Sequence, residues 1–127
     1  MTQVTAELRN YRQSPRKVRI VADTVRGKRV EDAITILSFV PKRAALPLEK
    51  LVRSALANAK NLSIPTENLV VKEMMVDGGA ILYRRMPRSR GMANPIRKRT
   101  SHVKIVLTEG KPKKVKAKKL KSSEAKS

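Results

Sequence analysis

The chain has 127 residues, 30 Lys plus Arg against 10 Asp plus Glu, a formal net charge of +20 and no Cys. That length suits one domain. The charge points to a polyanionic partner, nucleic acid ahead of a membrane surface, since no basic amphipathic helix with a bulky apolar face is present. Disulfides and thiolate metal sites are excluded, and no apolar run approaches the roughly 20 residues of a membrane span.

The chain opens on an alternation of Val4, Ala6 and Leu8 with Thr5, Glu7 and Arg9. This predicts a half-buried strand and, with Glu7 inside it, no signal peptide. Ser14-Pro15 then opens a first helix: the Ser14 side chain is set to accept from free backbone N–H groups, and Pro15 suits the first helical position. Val18, Val21, Ala22 and Val25 share its apolar face, and Gly27 stops it. Arg16, Lys17, Arg19 and Arg26 fall largely elsewhere, giving a basic face expected to meet RNA. Glu31 and Asp32 mark the start of a second helix with Ala33, Ile34 and Leu37 buried. The third and longest helix presents Leu48, Leu51, Val52, Ala55, Leu56, Ala59 and Leu62 on one face. Pro47 would break a hydrogen bond in a helix begun at Pro41, so a kink or a start near Ala45–Leu46 is expected. Ile64-Pro65 ends the segment.

Extended sequence follows. Leu69–Val71 and Met74–Val76 are strand-like, with Met74 and Met75 as sheet filling, and Asp77-Gly78-Gly79 predicts a bulge or bend. Ile81–Tyr83 resumes the strand, and beyond a Pro/Gly-containing tip Val103, Ile105 and Leu107 alternate on one face. The pattern is an antiparallel hairpin. At about 3.3 Å per residue, Gly79 to Gly91 would reach roughly 40 Å. An isolated ribbon of this kind is marginally stable in water, so its far half is expected to gain order from a partner.

Between Gly78 and Thr108 there is no acidic residue and eight basic ones: Arg84, Arg85, Arg88, Arg90, Arg97, Lys98, Arg99 and Lys104. Residues 1–77 are more balanced, with 14 basic and 8 acidic side chains. From Glu109 onward come eight Lys and two Glu with almost no apolar content, a composition expected to be disordered. The expected organisation is one domain over 1–109, a body of 1–77 and 101–109 with an arm over about 78–104, and a basic tail over 110–127.

Tyr11, Phe39 and Tyr83 are the only aromatic residues besides His102. That scarcity argues against reading bases by stacking and for phosphate and shape recognition by Arg forks, on folded RNA or bent DNA. Neutralising about eight phosphates gives a log–log salt slope on the order of −6 to −7 on duplex-like targets. No catalytic residue, metal site or cofactor is expected. Glu73 and Asp77 carry no mark of a poised pair, the lone His102 cannot complete a zinc site, and no Gly-Lys-Ser/Thr follows Gly78-Gly79.

Three separate segments carry a family resemblance. Val76-Asp77-Gly78-Gly79, Arg85 through Gly91 and Lys98 through Val103 resemble the hairpin signature of the large-subunit ribosomal protein 22 family, bacterial or organellar type. Ser14 through Arg19, with Val21-Ala22-Asp23 and Arg26-Gly27-Lys28, resembles its first helix, and Ala55 through Ala59 its third. The resemblance implies an α+β fold: a three-stranded antiparallel sheet packed on three helices, with a long protruding β-hairpin. It implies a non-enzymatic constituent of the large subunit, a monomer within the ribosome, cytoplasmic or in an organelle matrix. Its implied partners are 23S-type rRNA across several domains, neighbouring large-subunit proteins and the nascent peptide, with no membrane.

The rRNA-binding set expected on these grounds is Arg12, Ser14, Arg16, Lys17, Arg19, Arg84, Arg85, Arg88, Arg90, Arg97, Lys98, Arg99 and Lys104. The resemblance implies that Pro87, Arg88, Ser89, Arg90, Gly91, Met92, Ala93 and Asn94 form a tip facing the nascent-peptide exit tunnel. Met92 departs from the family pattern, where a basic residue is usual. The alternative is a DNA-bending architectural protein with a β-ribbon arm, suggested by Asn94-Pro95 beside Arg97. Such proteins open with two helices, whereas this chain opens with a strand.

Overall fold

The computed structural model describes residues 3–110. In chain order the elements are β1 (Gln3–Tyr11), α1 (Pro15–Ala22), α2 (Val30–Phe39), α3 (Ala45–Asn61), β2 (Leu69–Gly78), β3 (Leu82–Pro87), β4 (Ala93–Lys98) and β5 (Ser101–Glu109). The architecture is α+β. Strands β1, β5 and β2 form an antiparallel sheet in that order, and β3 and β4 form a separate two-stranded ribbon. The tail expected over 110–127 lies outside the described residues except for Gly110.

Three rows of apolar side chains cross the body sheet and explain its register. Val4, Leu107 and Val71 form one row; Ala6, Ile105 and Met74 the next; Leu8, Val103 and Val76 the third. With residues of the three helices these side chains build one core, in which Val18, Leu48, Val52, Ala55, Val71, Ile105 and Leu107 are fully buried. Removing that apolar surface from water is the main stabilising term. Val71 and Met74 are three apart, an odd spacing that would place them on opposite faces of a regular strand. A register shift between Val71 and Glu73 restores them to one face. The sequence did not show this bulge. The interruption it placed at Asp77-Gly78-Gly79 falls where β2 ends, with Asp77 and Gly78 still paired with His102 and Ser101.

The helices depart from the sequence reading at both ends of α1 and at the far end of α3, while α3 begins where the position of Pro47 predicts. Ser14 does cap α1, but through its carbonyl, which accepts from the N–H groups of Lys17 and Val18; its side chain makes no capping bond. Helix α1 stops at Ala22, and Val25 is buried from the turn that follows. Gly27, at φ 76°, ends that turn and donates its N–H to the Val71 carbonyl at 2.8 Å.

Helix α3 starts at Ala45, so Pro47 lies in the first turn, where backbone N–H groups have no intrahelical partner and nothing is lost. At its far end Ser63, at φ 57°, donates to the Lys60 carbonyl, and Ile64 donates to that of Ala59. That pair of bonds is a Schellman closure, with Ser in the place Gly usually fills. It carries Leu62 out of the helix, where it is 63% exposed rather than buried.

The edge of β2 is closed by arginine. The Arg19 guanidinium donates to the Val76 carbonyl at 2.9 and 3.1 Å, and that of Arg26 to the Met74 carbonyl at 2.7 and 2.9 Å. An open strand edge is a template for unwanted pairing, and long charged side chains across it block that.

Candidate nucleic-acid interface

The arm is the ribbon β3–β4. Its pairing runs from Leu82 opposite Lys98 to Pro87 opposite Ala93. The chain turns through Arg88–Met92, with a 3₁₀ turn at Ser89–Gly91. Arg90 and Gly91 adopt φ 59° and 70° there, and Arg88 N–H donates to the Met92 carbonyl at 2.6 Å. Every tip residue from Pro87 to Asn94 is exposed, including Met92 at 68%.

Directly opposite residues of an antiparallel pair share a face. One face of the ribbon therefore carries Leu82, Arg84, Met86, Asn94, Ile96 and Lys98; the other carries Tyr83, Arg85, Pro87, Ala93, Pro95 and Arg97. Each face holds two cations, and Arg88 and Arg90 add two at the tip. Among the described residues the ion pairs are Arg9–Glu7, Arg26–Asp23 and Arg53–Glu49, and none involves the arm. A rod cationic on both faces, with no ion pair to its side chains among the described residues, is suited to be surrounded by a polyanion.

The arm joins the body at a hinge-like gap rather than as one continuous hairpin. Strand pairing stops after Gly78–Ser101 and resumes at Leu82–Lys98. The Gly79 N–H donates to the Thr100 carbonyl at 2.9 Å, and the Thr100 hydroxyl to the Ala80 carbonyl at 2.6 Å. A Cβ on Gly79 would stand 2.5 Å from Thr100 Oγ1 and 3.0 Å from His102 Nε2, so only glycine fits this close approach. The arm is accordingly shorter than the sequence bounds of 78–104, and Lys104 does not belong to it. Lys104 lies in β5, the central strand of the body, between Glu7 of β1 and Met75 of β2.

Below the arm base, the structure brings distant basic residues together. An open cleft of about 770 Å³ is lined by Arg12, Gln13, Ser14 and Lys17 from the β1–α1 region, Arg43 from the α2–α3 loop, and Arg97, Lys98 and Arg99 from the arm. Arg43 was not among the residues expected from sequence. It sits in a short loop with no periodicity, and only the packing of α2 on α3 delivers it here. Ser14 and Arg16–Lys17 line a second cleft of about 560 Å³, together with Arg19, Gly78 and Arg99. Arg19 has two of its N–H groups committed to β2, so part of its fork is structural. His102 also has an internal role: its Nδ1 accepts from the Asn10 N–H at 3.1 Å.

These features coincide with a known family. A model described as "Ribosomal protein L22p/L17e" matches residues 6–108. The chain belongs to that family. It is therefore a ribosomal protein of the large-subunit family, located in the ribosome in the cytoplasm, and not an enzyme. It is 49% identical over 109 residues to a "Large ribosomal subunit protein uL22" of Herpetosiphon aurantiacus, covering 85% of this chain and 96% of that one. It is 51% identical over 112 residues to the protein of the same name in Desulfitobacterium hafniense, covering 87% and 98%. A third relative, from Lactobacillus helveticus, is 50% identical over 105 residues, covering 82% and 90%. The family match ends at Thr108, just before the Lys-rich tail. It takes in all of β3–β4, so the cationic arm lies within the family's span.

Proposed function

We propose that this chain is a structural constituent of the large ribosomal subunit that binds 23S-type rRNA through its arm and the basic clefts at the arm's base. The observation that carries the reading is the arm itself: cationic on both faces, exposed, and without an acidic partner among the described residues. A two-stranded ribbon of this charge gains little from its own contacts, so binding to rRNA during subunit assembly supplies its order. Phosphates are the ligands; with Tyr83 the one aromatic residue on the arm, base stacking contributes little.

By resemblance to its family, the arm runs between several rRNA domains, and its tip from Pro87 to Asn94 lines the nascent-peptide exit tunnel. Arg88 and Arg90 then stand nearest the lumen, beside an uncharged Met92. The body packs among neighbouring large-subunit proteins as a monomer. Among the described residues no helix is long and apolar enough to cross a membrane.

Sedimentation of the tagged full chain tests this reading. Stoichiometric co-migration with large subunits through a high-salt gradient is expected. Recovery only in free or nucleoid fractions overturns it and favours a DNA-binding role.

A further inference from the structure

The two acid-free clefts at the arm base are adjacent. Ser14, Lys17 and Arg99 line both, so Lys17 and Arg99 form a cationic ridge between two grooves. The larger groove is also lined by Arg12 and Arg43 on the body and by Arg97 and Lys98 on the arm. This segregation is local. Two other concavities near the sheet mix the signs: one has Glu7 and Asp77 beside Arg9 and Lys104, another Glu73 and Asp77 beside Arg26 and Lys72, while a third, against Gln3–Thr5, holds no charged residue.

From this geometry we infer that the arm base is a clamp for two converging RNA backbones, one in each groove, with Lys17 and Arg99 between them. The inference rests on the rRNA-binding reading and names the shape it selects. Where two phosphate backbones approach, their mutual repulsion is what a folded RNA must overcome, and a wedge of cations between them offsets it. A single straight duplex fills one groove and leaves the other empty. A multi-helix junction fills both.

The body wall is held in place. The buried Ser101 hydroxyl donates to the Gln13 carbonyl at 2.6 Å, and Tyr11 Oη–H donates to Gln13 Oε1 at 2.8 Å. The first bond ties the Arg12–Ser14 wall to Ser101 at the start of β5, just past Arg99 and Thr100; the second braces Gln13 within that wall. The body side of the clamp is thus set by the folded core, and its arm side, Arg97 and Lys98, lies at the end of the ribbon opposite the tip.

The test is competition binding of the full chain to two RNAs of equal nucleotide count in Mg²⁺, a three-way junction and a straight duplex. Wild type is expected to prefer the junction about tenfold or more at matched salt. The ridge variant Lys17→Ala/Arg99→Ala is expected to lose that preference while still binding duplex. Arg12→Ala/Arg43→Ala should weaken junction binding and lower the magnitude of its salt slope by roughly 1.4–1.8. Arg88→Ala/Arg90→Ala, two cations removed from the tip, should leave the preference intact.

Equal losses on junction and duplex for the ridge variant overturn the clamp, as does a tip variant that abolishes the preference. Either result leaves rRNA binding standing. Failure of the wild-type chain to bind either RNA overturns the functional reading itself.

Discussion

Ser101, with no solvent exposure, donates its hydroxyl proton to the Gln13 carbonyl at 2.6 Å across 88 residues of sequence. This one bond joins the loop after β1 to the strand that returns from the arm. Ser101→Ala leaves that carbonyl without its partner and is expected to cost about 1–3 kcal/mol. Urea unfolding of the full chain measures it. A cost near zero would show that water replaces the hydroxyl and that the loop is held by other contacts.

Gly79 is required for space rather than for an unusual backbone angle. Gly79→Ala places a methyl group against Thr100 Oγ1 and His102, and is expected to destabilise by about 1–3 kcal/mol. Thr100→Ala removes one obstacle and also the bond to Ala80. The double variant should therefore be less damaged than the two single costs added together, by roughly 0.5 kcal/mol or more. Strict additivity in a double-mutant cycle counts against the close approach.

Gly91 is the opposite case. Its Cβ position is open, but φ is 70°, so Gly91→Ala costs about 1–2 kcal/mol through the backbone alone. Arg90→Gly, at φ 59°, should relieve a similar cost. Because the tip is remote from the core, amide exchange at Arg88–Met92 is the readout: faster in Gly91→Ala, slower in Arg90→Gly.

Arg19 and Arg26 are expected to behave as structural residues as well as cations. Replacing both by Met removes the donors to Val76 and Met74 and is expected to cost about 1 kcal/mol per arginine. It also bares the edge of β2, so the double variant should associate at concentrations where wild type does not. Light scattering against protein concentration reads this, and an unchanged profile would remove the edge-guarding role.

The arm's cations predict the salt response. With Lys104 in the body, the arm keeps Arg84, Arg85, Arg88, Arg90, Arg97, Lys98 and Arg99, and the log–log slope for a duplex-like RNA is expected on the order of −6, falling in magnitude by about 0.9 for each arm arginine removed. Arg88→Ala/Arg90→Ala should leave unfolding stability within about 0.5 kcal/mol, because both side chains are exposed and outside the ion pairs among the described residues. A nearly flat slope in wild type contradicts phosphate binding by the arm.

Much of this protein is determined locally and is therefore legible in its sequence. Alternation in β1 and β5, the 3.6-residue spacing in α1 and α3, and a stretch without carboxylates each depend on a few neighbouring side chains. They suffice for the strands, the helices and a cationic arm between the two halves of a hairpin. Other features depend on partners far away in sequence. The bulge at Lys72 exists because Val71 and Met74 must both reach Leu107 and Ile105. The gap in the hairpin exists because Gly79 must pass Thr100. Lys104 falls to the body because β5 is its central strand. Arg43 joins Arg12 and Arg99 only when α2 packs on α3. Periodicity describes which face a residue takes within its own element; which residues from separate elements converge on one cleft is settled only by the packing of the core.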